Sequence, residues 1–355
     1  VTDDTLIAAE KPKKAPTKWG LAWPFLIVLI ALGLWSAYWI YMARQVESNL
    51  TAHREALIRA GYHVQYDPVS VRGYPFRMFM EFKKVEVVAP SGKGFAAPMI
   101  AAEANAYALD KWVMVAEKGL VLLRGRHEGL DLGQVTVTGD ALRASVSGLN
   151  KPVYDVAIEG LNPVFVSSDP ARPFALNGAE RFEAYLRPNA KTADMADILV
   201  RITGAKGDPL SLAGKIGQTK PFTLHWEASV NHLSQFKGVD WGASVEHWQK
   251  GGGALSAMKS SLKIDDMTLF LESDLMSVDS NRRLNGQLKL EISGSGDPFG
   301  FLLSTGLIDA QYEPLARPLV GVRMVAEKAV VMNFEFRDGG TYTGPLKVSD
   351  APKVF

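Results

Sequence analysis

Six histidines, paired acidic residues and two glycine-rich stretches are the places in this 355-residue chain where reaction chemistry could sit. His53, His63, His127, His225, His232 and His247 are scattered, and His225, on the polar face of its strand, shares no metal-ligand spacing with a carboxylate or a second histidine. Asp265-Asp266 is a carboxylate pair, but neighbours on a strand point to opposite faces, so a turn is the better reading than an acid–base couple. Gly253 to Lys259-Ser260 lacks the glycine that precedes lysine in a phosphate-binding loop. Gly294-Ser295-Gly296 leads into Asp-Pro-Phe-Gly, which does not fit dinucleotide spacing. H-E-x-x-H and G-x-S-x-G are absent. With no cysteine, the chain has no thiolate zinc site, disulfide framework or cysteine nucleophile. The expectation is a non-enzymatic protein without metal or cofactor. Lys+Arg at 39 against Asp+Glu at 38 supplies no one-signed basic footprint for nucleic acid.

Hydrophobicity is concentrated instead. Residues 19–42 read WGLAWPFLIVLIALGLWSAYWIYM without a charge, long enough to cross a bilayer core of about 30 Å. Trp19 and Trp23 at one end, and Trp35 and Trp39 toward the other, suit the aromatic belts of two membrane interfaces. Lys11, Lys13, Lys14 and Lys18 outnumber the basic residues just after the span, so the positive-inside rule puts residues 1–18 in the cytoplasm as a polar tail. Removing that tail leaves 35 basic and 35 acidic residues, a neutral domain expected in the periplasm beyond an inner membrane. Residues 43–62 carry Val46, Leu50, Leu57 and Ile58 as a helical stripe ending near Gly61, expected to dock on the domain that follows.

From residue 63 the apolar period falls to two. Phe222, Leu224 and Trp226 alternate with Thr223, His225 and Glu227; Leu269 and Leu271 are followed by Leu275; Leu288 and Leu290 alternate with Gln287 and Lys289; Met332, Phe334 and Phe336 alternate with Asn333 and Glu335. One wet and one dry face is the antiparallel signature. The predicted class is mainly β: a transmembrane helix, then a long curved antiparallel sheet, as a groove or a sandwich, with a few short helices. Those helices are expected at 240–250 (Trp241, Val245, Trp248), after Asp297-Pro298, and less regularly over 313–328, where Pro314 and Pro318 interrupt. Gly251–Gly253 is a possible divide between sections 63–250 and 251–355. Leu275 aside, these ten stripe residues either form closed core or face lipid; the alternation alone does not choose.

Gly73-Tyr74-Pro75-Phe76-Arg77 reads as a tight structural turn, with glycine free to take positive φ and proline fixing its own. The alternative has Arg72 and Arg77 meeting an anionic head group.

That turn, the span before it, Trp248 to Leu255, the 267–292 hairpin and the closing Asp338-Gly-Gly-Thr-Tyr-Thr-Gly-Pro-Leu346 together resemble an uncharacterised alphaproteobacterial domain family of unknown function. The strand rhythm is also similar to AsmA-like proteins of the Gram-negative envelope. That second resemblance implies a sheet curled into a groove whose apolar face carries lipid, and it brings no catalytic residues. The chain ends Ala351-Pro-Lys-Val-Phe355 where the family tends to end in consecutive prolines. The resulting expectation is an envelope protein that binds or passes membrane lipid. The alternative is a scaffold or assembly subunit holding another membrane complex, through a patch around Trp241 and Trp248.

Overall fold

The computed structural model describes residues 19–354 apart from 128, 152, 218–219, 239–240, 295–297, 316 and 318–328. The tail at 1–18, the cap residues Asp240 and Asp297, and most of 313–328 therefore lie outside the described residues. One helix, α1 (Trp19–Arg59), runs without a break through the apolar span and the segment beyond it. Pro24 falls early in the helix, where a lost N–H costs little. Gly61, at φ +87°, lets the chain leave the helix, with Tyr62 N–H donating back to Leu57 O. The helix segment after residue 42 docks less than its stripe suggests: Ala43 is buried and Val46 and Leu50 are half-buried, but Leu57 and Ile58 are exposed.

The rest is strand, apart from short helices. In chain order these are β1 (His63–Gln65), β2 (Arg77–Val88), β3 (Lys93–Asn105), β4 (Ala108–Val115), β5 (Leu120–Arg124), β6 (Arg126–His127), β7 (Leu130–Asp131), β8 (Gln134–Thr138), β9 (Ala141–Ser147), β10 (Asp155–Leu161) and β11 (Val164–Ser167). Then come β12 (Leu176–Gly178), β13 (Arg181–Pro188), β14 (Met195–Gly207), α2 (Leu212–Gly217), β15 (Phe222–Asn231), α3 (Trp241–Lys250), β16 (Ala254–Ile264), β17 (Met267–Val278) and β18 (Leu284–Ser293). The chain closes with α4 (Pro298–Ser304), β19 (Ala329–Arg337), β20 (Gly340–Thr343) and β21 (Leu346–Asp350). Nineteen strands make one sheet, antiparallel at every strand pair among the described residues, and β6–β7 is a separate ribbon. Because β15 and β16 pair directly, the Gly251–Gly253 run does not part the sheet.

From β1 to β3 and from β14 to β21 the sheet is a plain meander. Between them each position is filled by two short strands end to end: β4 with β5, β9 with β8, β10 with β11, and β13 with β12. The interruptions line up across the sheet at 116–119, 139–140, 162–163, 179–180 and the bulge near Gly204. The seam stays hydrogen-bonded, through Asp140 N–H to Leu161 O (3.0 Å) and Asn162 N–H to Glu180 O (2.8 Å). Pro163, which has no N–H to give, sits in it, and Gly204 takes φ +59° beside the Glu180 side chain.

The main core lies on the apolar face toward the seam side of β14–β19, where α4 supplies Phe299, Phe301 and Leu302 and the following loop adds Ile308. Helix α3 closes the opposite strand ends with Val245 and Trp248 against Val230 and Val278.

Candidate functional site

Following direct cross-strand partners from β2 to β19 gives one transverse row: Met80, Ala102, Met114, Ala144, Ile158, Ala184, Val200, Trp226, Ser260, Leu271, Leu290 and Met332. Since strand side chains alternate, these share one face. It carries no charge along twelve strands. The next row on that face runs Trp112, Val146, Val156, Leu186 and Ile198. One residue over, on the opposite face, the partners include Arg143, Glu159, Glu183, Arg201 and His225.

Cover on the apolar face is uneven. Met80 and Ala102 are buried at one end and Leu290 and Met332 at the other, while Met114, Ala144, Ala184, Val200 and Trp226 are only half-buried and Ile158 is 46% exposed. From β4 to β15 this uncovered strip spans five strand spacings, about 24 Å. Where α1 meets the sheet, Trp39 and Ala43 pack on Met78 and Ala106, with Trp112 beside them. The strip thus begins at the apolar helix and ends under α3 and α4.

The ten stripe residues fall on this face. Phe222, Leu269, Leu288, Leu290, Met332, Phe334 and Phe336 are buried in the α4-covered core, Leu224 and Leu271 pack at its margin, and Trp226 lies on the strip. Leu275 does not continue the stripe. A bulge between Glu272 and Met276 turns Leu275 outward and Met276 inward, with Gly286 (φ +145°) admitting the Leu275 carbonyl. Met114, Ala144, Ile158, Ala184 and Val200 complete the strip and lie outside the ten stripe residues. Their signal was weak, because alanine at two positions hides the alternation.

The turn is built against α1. Gly73 has φ +100°, where an added Cβ would come within 2.9 Å of Arg77 O, and Arg77 N–H closes the loop onto Gly73 O (2.9 Å). Trp35 donates its indole N–H to Pro75 O (2.9 Å), Trp39 donates to Arg77 O (3.1 Å), and Ser36 Oγ lies 2.8 Å from the Tyr74 hydroxyl. Tyr74 meets Trp39 edge-on at 5.5 Å, and the Tyr74–Pro75 peptide is cis. Arg77 pairs with Glu103 at 2.7 Å. Trp23 is exposed on α1, and Trp19 begins the helix, its side chain outside the described residues.

The polar face holds an ion network. Buried Glu183 sits between Arg181 (3.1 Å) and Arg201 (3.5 Å), and the Tyr185 hydroxyl, 3.0 Å from both the Glu159 and the Glu183 carboxylates, shares its one proton between them. Arg143 pairs with Glu159, and its hydrogen bonding is the main cause that holds the Glu159 carboxyl below its ordinary value. Burial, then the two carboxylate partners, pushes the Tyr185 hydroxyl up to about 12. A shallow depression of about 300 Å³ near His225, Lys259 and Glu291 lies on this face. His225 is 3.9 Å from Glu227, and Asp265-Asp266 forms the two-residue turn between β16 and β17. Among the described residues, no three His, Asp or Glu side chains are grouped to hold a metal.

A family model described as "Uncharacterized protein conserved in bacteria (DUF2125)" matches residues 39–352, and the chain belongs to that family. No curated protein and no solved structure matches it.

Proposed function

We propose that this member of the DUF2125 family is a membrane-anchored lipid-binding protein of the cell envelope, which holds acyl chains on the uncovered apolar strip between α1 and α3. The observation that carries the reading is the charge-free row through Met114, Ile158, Val200 and Trp226, closed by protein at both ends and open between. An apolar strip of this extent left to water marks a binding surface. One leaflet of hydrocarbon is about 15 Å deep, half the bilayer core, so an acyl chain fits within a strip about 24 Å long.

The helix Ala22–Arg59 is long and apolar enough to cross a membrane, as an anchor or a signal sequence would be. The anchor reading is supported by Trp35, Trp39 and Ala43, which are built into the domain's packing, so cleavage after the span would remove part of the fold. The preceding lysines favour a cytoplasmic tail and a periplasmic domain. The resemblance of the strand rhythm to AsmA-like proteins would imply the same use.

The test is lipid analysis of the full chain, purified in detergent and washed extensively, beside an Ile158→Glu variant. Retained phospholipid in the parent, reduced at least fivefold in the variant, supports the reading. Equal retention by both, or none by either, contradicts it and leaves a scaffold role for the polar face or the α3 surface.

A further inference from the structure

Several exposed aromatic side chains cluster where α1 enters the sheet. Tyr74 is 53% exposed, Phe76 64% and Tyr107 68%. Tyr74 and Phe76 lie in the turn before β2, and Tyr107 caps the β3–β4 turn; Ala106 N–H donates to Phe76 O (2.8 Å), which ties the two tips together. Large rings left this open on neighbouring tips require an occupant.

The height of these tips along α1 identifies it. Tyr74 meets Ser36, and Pro75 meets Trp35, both inside the uncharged run; the first charge after the span is Arg44. Eight residues of helix separate Ser36 from Arg44, about 12 Å along the axis. With Arg44 among the head groups, the tips reach the boundary between head groups and acyl chains, where aromatic rings and amphipathic segments insert by about 5–10 Å. Arg77 does not oppose this, because its charge is paired with Glu103, and the exposed Arg72 has a stem long enough to bring its guanidinium up to phosphates.

We infer that Tyr74, Phe76 and Tyr107 dip into the bilayer interface beside α1 and seat the sheet on the membrane, with the α1 end of the apolar strip, beside Trp112, set next to the lipid. This rests on the anchor reading of α1 and deepens the lipid-binding one: the strip starts at the membrane surface rather than standing clear of it.

The chain contains no cysteine, so single cysteines can be introduced without removing others. Full chains carrying Phe76→Cys, Tyr107→Cys, Leu210→Cys or Val28→Cys are spin-labelled and reconstituted in vesicles of phosphatidylcholine and phosphatidylglycerol. Leu210 is a comparably exposed apolar residue at the opposite strand ends, just before α2, and Val28 lies mid-span. Power saturation then compares collisions with oxygen, which concentrates in the bilayer, and with a water-soluble nickel chelate. The expected oxygen-to-nickel ratio at Phe76 and Tyr107 is at least fivefold that at Leu210, with Val28 higher still. Ratios at both tips equal to that at Leu210, while Val28 is deep, overturn the inference and leave the anchor standing. A water-accessible Val28 overturns the anchor reading and this inference together. Membrane-level ratios at the tips with no lipid retained on the strip uphold the seating and refute the lipid-holding role alone.

Discussion

Replacing Leu290 and Ile158 separately by alanine tests whether the strip is uncovered, because both side chains occupy the same transverse row. Leu290 is fully buried, flanked by Leu271 and Met332 and covered on the α4 side. Truncating it removes transfer free energy and leaves a cavity, which together cost about 3–4 kcal/mol for a leucine with no room to collapse. Ile158 is already 46% exposed. Full burial of such a side chain is worth about 1.5–3 kcal/mol, so about half of that is at stake and no closed cavity forms; the expected cost is about 1 kcal/mol. The assay is urea unfolding of delipidated full chain in detergent, followed by the strand signal in circular dichroism, with midpoints compared at constant slope. A cost at Ile158 matching that at Leu290 would refute the reasoning, since it would mean that protein fills the space over the strip.

Other substitutions probe the supports of the site. Gly73→Ala forces a side chain into a positive-φ position 2.9 Å from Arg77 O and should cost about 1–3 kcal/mol, read as faster proteolysis of the turn. Trp39→Phe keeps an aromatic ring but loses the indole N–H that donates to Arg77 O, with part of the buried indole; a loss of at least about 1 kcal/mol in unfolding is expected, with looser docking of the turn on α1. The folded-state depression of the Glu159 carboxyl stabilises the domain above the ordinary value of 4.5, and that contribution is lost as pH falls through the folded value; the stability of Glu159→Gln should lack this acid-side slope. Tyr185 has the opposite sign. Its hydroxyl is raised from 10.0 to about 12, so the stabilisation is present below pH 10 and lost as pH rises toward 12. Wild type should fall relative to Tyr185→Phe across that interval by about 1 kcal/mol, below the roughly 2.7 kcal/mol of two full units because this face is partly solvated.

The sheet class, the apolar span and the closing hairpins were legible because large residues alternate there. Met332, Phe334 and Phe336 point one way for a whole strand, and Asp338-Gly339, both at positive φ, turn β19 into β20. The middle of the sheet was harder to read for two physical reasons. Five of the thirteen residues of strand β3 are alanine, which marks neither face strongly, so its alternation carries little contrast. Across the seam the apolar face changes phase, from Val135 and Val137 to Leu142 and Ala144, and from Ile202 to Ala205, so no single period spans a full strand position. The same effect misplaced Leu275. Trp241 was grouped with Val245 and Trp248 by helical spacing, yet it stands half-exposed against Phe236 while the other two are buried, because α3 presents only its far turns to the sheet. The strip itself was invisible in the sequence, since it exists only where half-rows from six strands are brought into register.

The most direct test of lipid on that strip uses two adjacent residues of β10. A photoreactive benzoyl-phenylalanine is placed at Ile158 or at Ala157 in the full chain and activated in membranes of living cells. The two side chains leave the strand on opposite faces, Ile158 toward the apolar strip and Ala157 toward Tyr185 and the ion network. Lipid adducts identified by mass spectrometry at Ile158, with few or none at Ala157, are the predicted result. Equal adducts at both positions, or protein adducts alone at Ile158, would contradict it.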